Sequence, residues 1–345
     1  MKNNLIFVQW DAYYGGLEKI SQLYEKIFTS YNPLVAILRQ TKSGFKYNNS
    51  YVFKEKNKLS FIFNYFRFVK NKKDSIFHIQ YAGSTILLVT FLAGARKILF
   101  HFHGTKFSNK ILNKLIWKLL EKKVVIIANS LHTKEVIKKK LNLQNQITVI
   151  PNLIDTKALK YIDRVYKKGD KFTVLYTGRF DKGKNIDLIV EVAKTLNYDN
   201  EIGFLLVGDG PEKETINRKI NENNLGSAVK ILMYTDEIMK FYYSSNLFIF
   251  TSLHESFGNV IAEAILTGLP VLSNKLPALT EFVNDDFFFF DKQDPKLIAV
   301  KIKEIKYNYP MATMRLNKVN TNLRAYLDNE KIVSTLSSLY NNLNN

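Results

Sequence analysis

Two doubly wound parallel α/β domains are what this sequence predicts, and three observations carry that expectation. Short apolar runs alternate with longer amphipathic stretches along most of the chain. The alternation restarts after a polar, strand-poor segment at 155–171. The length, 345 residues, fills two domains at roughly 100–200 residues each. Runs this short, bounded by Gly, Asn or polar clusters, read as strands buried in a parallel sheet. Helical stretches between them supply the crossovers that parallel strands need.

In order, the first half gives strands at 5–8, 75–79, 98–102, 124–128 and 147–150. Helices at 16–30, 59–70, 109–123 and 133–141 lie between them. The second half gives strands at 172–176, 204–207, 229–232, 247–251 and 270–273, with helices at 185–196, 212–222 and 258–266. The domains run 1–165 and 166–327, and a C-terminal helix over 328–345 is placed to pack back on the N-terminal domain. Two such Rossmann-like sheets leave a cleft at the carboxyl ends of their strands, where ligands of these folds bind.

Composition excludes several classes. With no cysteine, there is no disulfide scaffold, thiolate nucleophile or thiolate metal site. The N-terminal apolar run is too short for a signal peptide. No stretch reaches the roughly 18–20 apolar residues that span a bilayer. The expectation is a soluble, cytoplasmic protein. No G-x-G-x-x-G follows the first strand, which disfavours a dinucleotide-dependent dehydrogenase. Lys+Arg number 50 against 31 Asp+Glu, a net +19. Residues 1–165 hold 28 and 9 of these, and residues 166–345 hold 22 and 22. The whole excess sits in the first half, which suggests a polyanionic partner: nucleic acid, an anionic membrane or a phosphorylated substrate.

The richest segment is SLHESFGNVIAEAILTGLPVLS, residues 252–273. Glu255 and Glu263 are eight positions apart, with Phe257 and Gly258 between. A helix starting near Gly258 leaves the backbone N–H groups of Gly258, Asn259 and Val260 at its N-terminus, where an anion is held. Glu255 then precedes the helix and Glu263 lies inside it, so the two address different parts of one ligand.

This segment resembles the E-x7-E motif of the retaining GT-B glycosyltransferases of family 4. Further landmarks come in the family's order: Gly15-Gly16, His101-Phe102-His103-Gly104, Ala128-Asn129-Ser130, Val149-Ile150-Pro151-Asn152 with Asp155, Tyr176-Thr177-Gly178-Arg179 with Lys184-Asn185, and Leu206-Val207-Gly208-Asp209-Gly210-Pro211. The resemblance implies a GT-B fold, an N-terminal acceptor domain, a C-terminal donor domain and a nucleotide diphosphate sugar as donor. Arg179 and Lys184 would neutralise the leaving diphosphate, so neither metal nor other cofactor is expected; no Asp-x-Asp triplet is present. Glu255 would orient the donor sugar and Glu263 would accept from the ribose hydroxyls. Retention is attributed in this family to front-face attack, so Glu255 is not cast as a covalent nucleophile. His103 is the acceptor-side candidate beside the reacting carbon. Gly15, Gly16, Gly178 and Gly208 line the donor's backbone loops. The base would lie near Tyr234, where the family often has Gly, and Ser256 stands where it usually has Gly.

The segment 106–123 places Lys110, Lys114, Lys118 and Lys122 in a stripe, with Leu112, Leu115, Ile116, Leu119 and Leu120 on the other side: a basic amphipathic helix. The segment 59–73 carries five aromatics and a basic end, more apolar than one buried face requires. Family members that build surface polysaccharides act on lipid-diphosphate acceptors at the inner face of the plasma membrane. The basic half is therefore expected to meet an anionic membrane and a lipid-linked acceptor rather than nucleic acid. The rivals are a soluble transferase with a small sugar acceptor and a basic nucleic-acid-binding protein.

Overall fold

The structure, a computed structural model, describes residues 4–10, 16–39, 46–55, 57–105, 111–197, 199–235 and 237–344. Gly15 and residues 106–110, singled out above, lie outside the described residues. The chain forms two units, Met1–Ile154 with Asp328–Asn345, and Asp155–Leu327.

The first unit runs β1 (Leu5–Gln9), α1 (Gly16–Ile27), β2 (Leu34–Ile37), β3 (Ser50–Val52), α2 (Lys58–Asn71), β4 (Ile76–Tyr81), α3 (Ser84–Leu92), β5 (Ile98–Phe102), α4 (Ile111–Leu120), β6 (Val125–Ala128), α5 (Leu131–Leu141) and β7 (Thr148–Val149). Its strands pair in parallel in the order β3-β2-β1-β4-β5-β6-β7. The second runs β8 (Phe172–Thr177), α6 (Ile186–Leu196), β9 (Ile202–Val207), α7 (Lys213–Glu222), β10 (Val229–Leu232), α8 (Ile238–Ser244), β11 (Leu247–Phe250), α9 (Asn259–Leu266), β12 (Val271–Asn274), α10 (Pro277–Thr280), β13 (Phe289–Phe290), α11 (Pro295–Tyr307) and α12 (Tyr309–Tyr326). Its parallel order is β10-β9-β8-β11-β12-β13. The chain ends in α13 (Asn329–Asn344), which belongs to the first unit.

Order changes on either side of β1 and of β8, so both sheets are doubly wound with helices on both faces. Every residue of β1 is buried, as such a sheet requires. One face of the first sheet packs Ile6, Phe77 and Phe100 with Tyr65 of α2, Leu87 of α3 and Trp117 of α4. The other packs Phe7 and Leu99 with Tyr24 of α1 and with Ile332, Leu336 and Tyr340 of α13.

Three local expectations change. The boundary falls after Ile154, so residues 155–165, expected with the N-terminal domain, group with the second unit. Arg164 explains this: its guanidinium donates to the carbonyls of Tyr242, Tyr243, Ser245 and Thr267 at 2.7–3.2 Å. Gly268, at φ +78°, makes room for the segment, since a Cβ there would lie 2.4 Å from the Ile162 carbonyl oxygen. The apolar surplus of 59–73 is mostly core, because Tyr65, Phe68 and Val69 are buried against Phe53. The leucines of α4, by contrast, are split. Ile116, Trp117 and Leu120 are buried, whereas Leu112, Leu115 and Leu119 stay 57–62% exposed beside Ile111 at 77%. Among the described residues no helix is long and apolar enough to cross a membrane.

Candidate active site

In the second unit the site is built from three loops at the carboxyl ends of strands. β8 ends in Gly178, at φ +148°, and the exposed Arg179. Tyr176 folds its hydroxyl back to donate to the Arg179 carbonyl at 3.1 Å. Next to it, β9 ends in Gly208, where an added Cβ would lie 1.9 Å from the Gly178 carbonyl oxygen. Phe180 N–H donates to the Asp209 carbonyl and Glu212 N–H to the Phe180 carbonyl, locking the two loops together. Gly208 therefore shapes the Arg179 loop by letting backbones touch.

Asp181 caps the short turn Lys182–Lys184 by accepting from the Gly183 N–H at 2.9 Å. Asn185, left-handed at φ +51°, turns the chain into α6. Lys184 is held from two sides: its carbonyl accepts from the Thr251 hydroxyl at 2.9 Å, and its ammonium pairs with Glu255 Oε1. The ammonium also lies 5.6 Å from the centre of the Phe250 ring. Both side chains of the pair are largely enclosed, so the attraction is less screened than at the surface.

Gly258 enters α9 at φ +93° as its N-cap and brings no side chain of its own to the helix start. A Cβ there would meet Leu279 at 2.6 Å, so glycine is required both for conformation and for space. Asn259 and Val260 open the helix half-buried. Glu263, one turn in, is 7% exposed and accepts the Tyr242 hydroxyl at Oε2 at 3.0 Å. Thr177 lies 2.8 Å from that hydroxyl. Burial and the Glu263 charge hold the Tyr242 phenol well above its ordinary pKa, so it stays a donor. Phe257, expected among the donor-binding residues, is 1% exposed and packs on Phe282 and Tyr326; its side chain is core. Tyr234 is half-buried after β10.

In the first unit, Gly16 opens α1. His103 lies just past β5, and its Nδ1–H donates to Asn152 Oδ1 at 2.9 Å. The landmark Asn129-Ser130 has a plain structural role in part, since Ser130 caps α5 by accepting from the Thr133 N–H. Sequence reasoning placed His101 on the same strand face as His103 but missed His78 and Tyr340 behind it. The His101 ring lies tilted against that of His103 with centroids 3.9 Å apart, and His78 stacks on His101 at 5.4 Å. His78 Nε2 lies 3.3 Å from His101 Nδ1, and His78 Nδ1 lies 2.7 Å from the Tyr340 hydroxyl of α13. Burial holds His78 and His101 well below the usual imidazole range and pushes His103 down to about 4, against a smaller opposing effect of Asn152. All three are neutral near pH 7, so His103 serves as a hydrogen-bonding imidazole rather than a cation. Among the described residues no group of three His, Asp or Glu side chains is arranged to hold a metal ion.

The fold is GT-B. Anabaena HepE, solved in complex with UDP and glucose, superposes with a TM-score of 0.80 over 97% of this chain and 100% of that one, at 19% identity. The profile described as Glycosyltransferase Family 4 matches residues 39–158, and that described as Glycosyl transferases group 1 matches residues 158–320. The chain belongs to this family of glycosyltransferases. It is 25% identical over 162 residues to the O-antigen biosynthesis glycosyltransferase WclY of Escherichia coli, covering 47% of this chain and 44% of that protein. It is 29% identical over 185 residues to the N-acetylgalactosamine-N,N'-diacetylbacillosaminyl-diphospho-undecaprenol 4-alpha-N-acetylgalactosaminyltransferase of Campylobacter jejuni, covering 52% and 50%. The chain thus aligns with about half the length of these curated relatives, or less.

Proposed function

We propose that the chain transfers a hexose or N-acetylhexosamine from a UDP- or GDP-linked sugar, with retention and without a metal, to a lipid-diphosphate-linked saccharide in bacterial surface-polysaccharide assembly. The observation that carries this reading is the Lys184–Glu255 pair in front of the α9 N-terminus. It fixes a cation suited to a leaving diphosphate against a carboxylate suited to sugar hydroxyls. As the glycosidic bond breaks, charge grows on the diphosphate. Arg179 forks onto its oxygens, Lys184 adds a point charge, and the backbone of Gly258, Asn259 and Val260 adds the helix dipole. Glu255 orients the sugar. Glu263, held by Tyr242, accepts from the ribose. Gly178 and Gly208 keep the Arg179 loop close, and Tyr234 borders the base. The donor phosphate helps deprotonate an acceptor attacking from the same face; in the first unit, the neutral His103 is the acceptor-side group.

A lipid-linked acceptor is supported by the name of the Campylobacter relative and by charge. On α4, Lys114 and Lys118 are exposed next to the four exposed apolar side chains, and Lys122 and Lys123 come directly after the helix. Such a face suits peripheral attachment at the inner side of the plasma membrane. The test is NMR of the product's anomeric centre after a screen of nucleotide sugars. An inverted linkage, or no transfer from any UDP- or GDP-sugar, overturns the reading. Failure to float with anionic vesicles would instead favour a soluble small acceptor.

A further inference from the structure

The first unit contains a cavity of about 410 Å³ at the carboxyl ends of β1, β4 and β5. That volume lies within the range of small-ligand sites, roughly 300–1,000 Å³. Its walls are of two kinds. Trp10, Phe102 and Trp117 supply rings, and Gln80, Ser84 and His103 supply neutral hydrogen-bonding groups. The rings differ in access. Phe102 and Trp117 are 4% and 2% exposed and pack on each other at 5.2 Å, closing the floor. Trp10, directly after β1, is 38% exposed and still has free surface.

Gln80 is the second, independent observation. It is 1% exposed, and its Oε1 accepts the Ser21 hydroxyl at 3.4 Å, but its buried Nε2 has no partner among the described residues. A buried amide N–H without an acceptor is rare in native structures, and here it belongs to a cavity wall. Beside Gly104 the cavity stays open, since a Cβ there would meet no described atom within 4 Å.

We infer that this cavity takes a neutral pyranose unit of the acceptor, stacked on Trp10 and hydrogen-bonded by Gln80 and Ser84, with any phosphate of the acceptor left outside. A pyranose has an apolar C–H face and a rim of hydroxyls, which matches one open ring surrounded by short neutral donors and acceptors. An alkyl chain would leave the Gln80 amide unsatisfied. The low pKa of His103 agrees, because a neutral imidazole gives an anion no charge to pair with. The inference rests on the glycosyl-transfer reading for the word acceptor, but the binding claim stands apart from catalysis.

The chain has two tryptophans, Trp10 and Trp117, and both line this cavity. Intrinsic fluorescence therefore reports it selectively. The probes are a panel of methyl hexosides and methyl N-acetylhexosaminides, with inorganic phosphate and farnesol as contrasts. At least one glycoside should give a saturable change. Trp10→Phe should keep binding, read through Trp117. Trp10→Ala should weaken it about tenfold, the loss of one aromatic contact and its area. Gln80→Leu, checked for folding by circular dichroism, should weaken it too. A saturable response to farnesol alone would make the cavity a lipid groove and overturn the inference. So would no response to any glycoside, or equal glycoside binding by Trp10→Ala. UDP binding, followed separately by calorimetry, tests the donor reading, so the two can fail independently.

Discussion

The two units invert one another electrostatically. Residues 1–154 with 328–345 carry 26 Lys+Arg against 9 Asp+Glu, whereas residues 155–327 carry 24 against 22. Yet the cavity of the basic unit is walled by aromatic rings and by neutral groups such as Gln80, Ser84 and a neutral His103. The nearly neutral unit concentrates opposite charges, Lys184 and Glu255, at one loop junction. Net charge thus describes a surface, and site chemistry depends on a few enclosed groups. The first unit places cations at exposed positions of α4 and of the turn 121–123. The second balances its surface and encloses one ion pair, Lys184 with Glu255.

The largest effects should come from the charged loops. Removing one preorganised group that meets developing charge costs on the order of 10²–10³ in kcat. Lys184→Ala should show that loss in steady-state kinetics, and Arg179→Ala a comparable one. Unchanged kcat in both would remove the contrast between the units, because the enclosed cation would then be structural. Gly208→Ala should destabilise by about 3 kcal/mol, as overpacking against rigid backbone does, because its Cβ would strike the Gly178 carbonyl. Urea unfolding measures it, and an unshifted midpoint would mean the two loops are looser than their contact implies.

The histidine cluster gives the first unit a pH signature of its own. The folded state holds His103 near 4 and His78 and His101 well below 6.5, while the unfolded chain titrates near 6.5. The unfolded state therefore binds more protons as pH falls. The stabilisation is fully present above about pH 6.5 and is lost progressively below it, down to about 4 for His103. With three such groups the slope approaches about 4 kcal/mol per pH unit. Urea midpoints at pH 7.5 and 5.5 test this, and a His78→Asn variant should show a shallower decline. Equal midpoints at the two pH values would refute a neutral stack.

Much of this could be read from the residues. Alternating apolar runs marked out both sheets, and Gly258 marked the start of a helix, which the structure begins at Asn259. What escaped had non-local causes. β2 and β3 are only four and three residues long and carry little periodicity. Residues 155–165 read as the end of the N-terminal domain because their anchor is one arginine reaching carbonyls about 80–100 positions away. The contact of His78 escaped because its partner, Tyr340, is 262 residues distant. Phe257 sits between Glu255 and Glu263 yet is committed to core packing, a choice its neighbours in sequence do not reveal.

The smallest expected effect concerns the outer surface of the basic unit. Near an anionic membrane each lysine contributes about 1 kcal/mol, so Lys118→Ala or Lys122→Ala should weaken binding to phosphatidylglycerol-containing vesicles about fivefold. Salt should erase that difference, because the lysines act through a screened surface potential. Exposed leucines act by a different mechanism. Leu112→Ser with Leu115→Ser should lower vesicle binding even at high salt, since apolar insertion does not depend on ionic strength. Neither change touches the enclosed groups of either unit, so kcat on a water-soluble acceptor should stay at the unsubstituted value. If the lysine variants lowered that kcat as well, the basic surface would be part of the reaction rather than its mooring, and the division between charge outside and chemistry inside would fail for this unit.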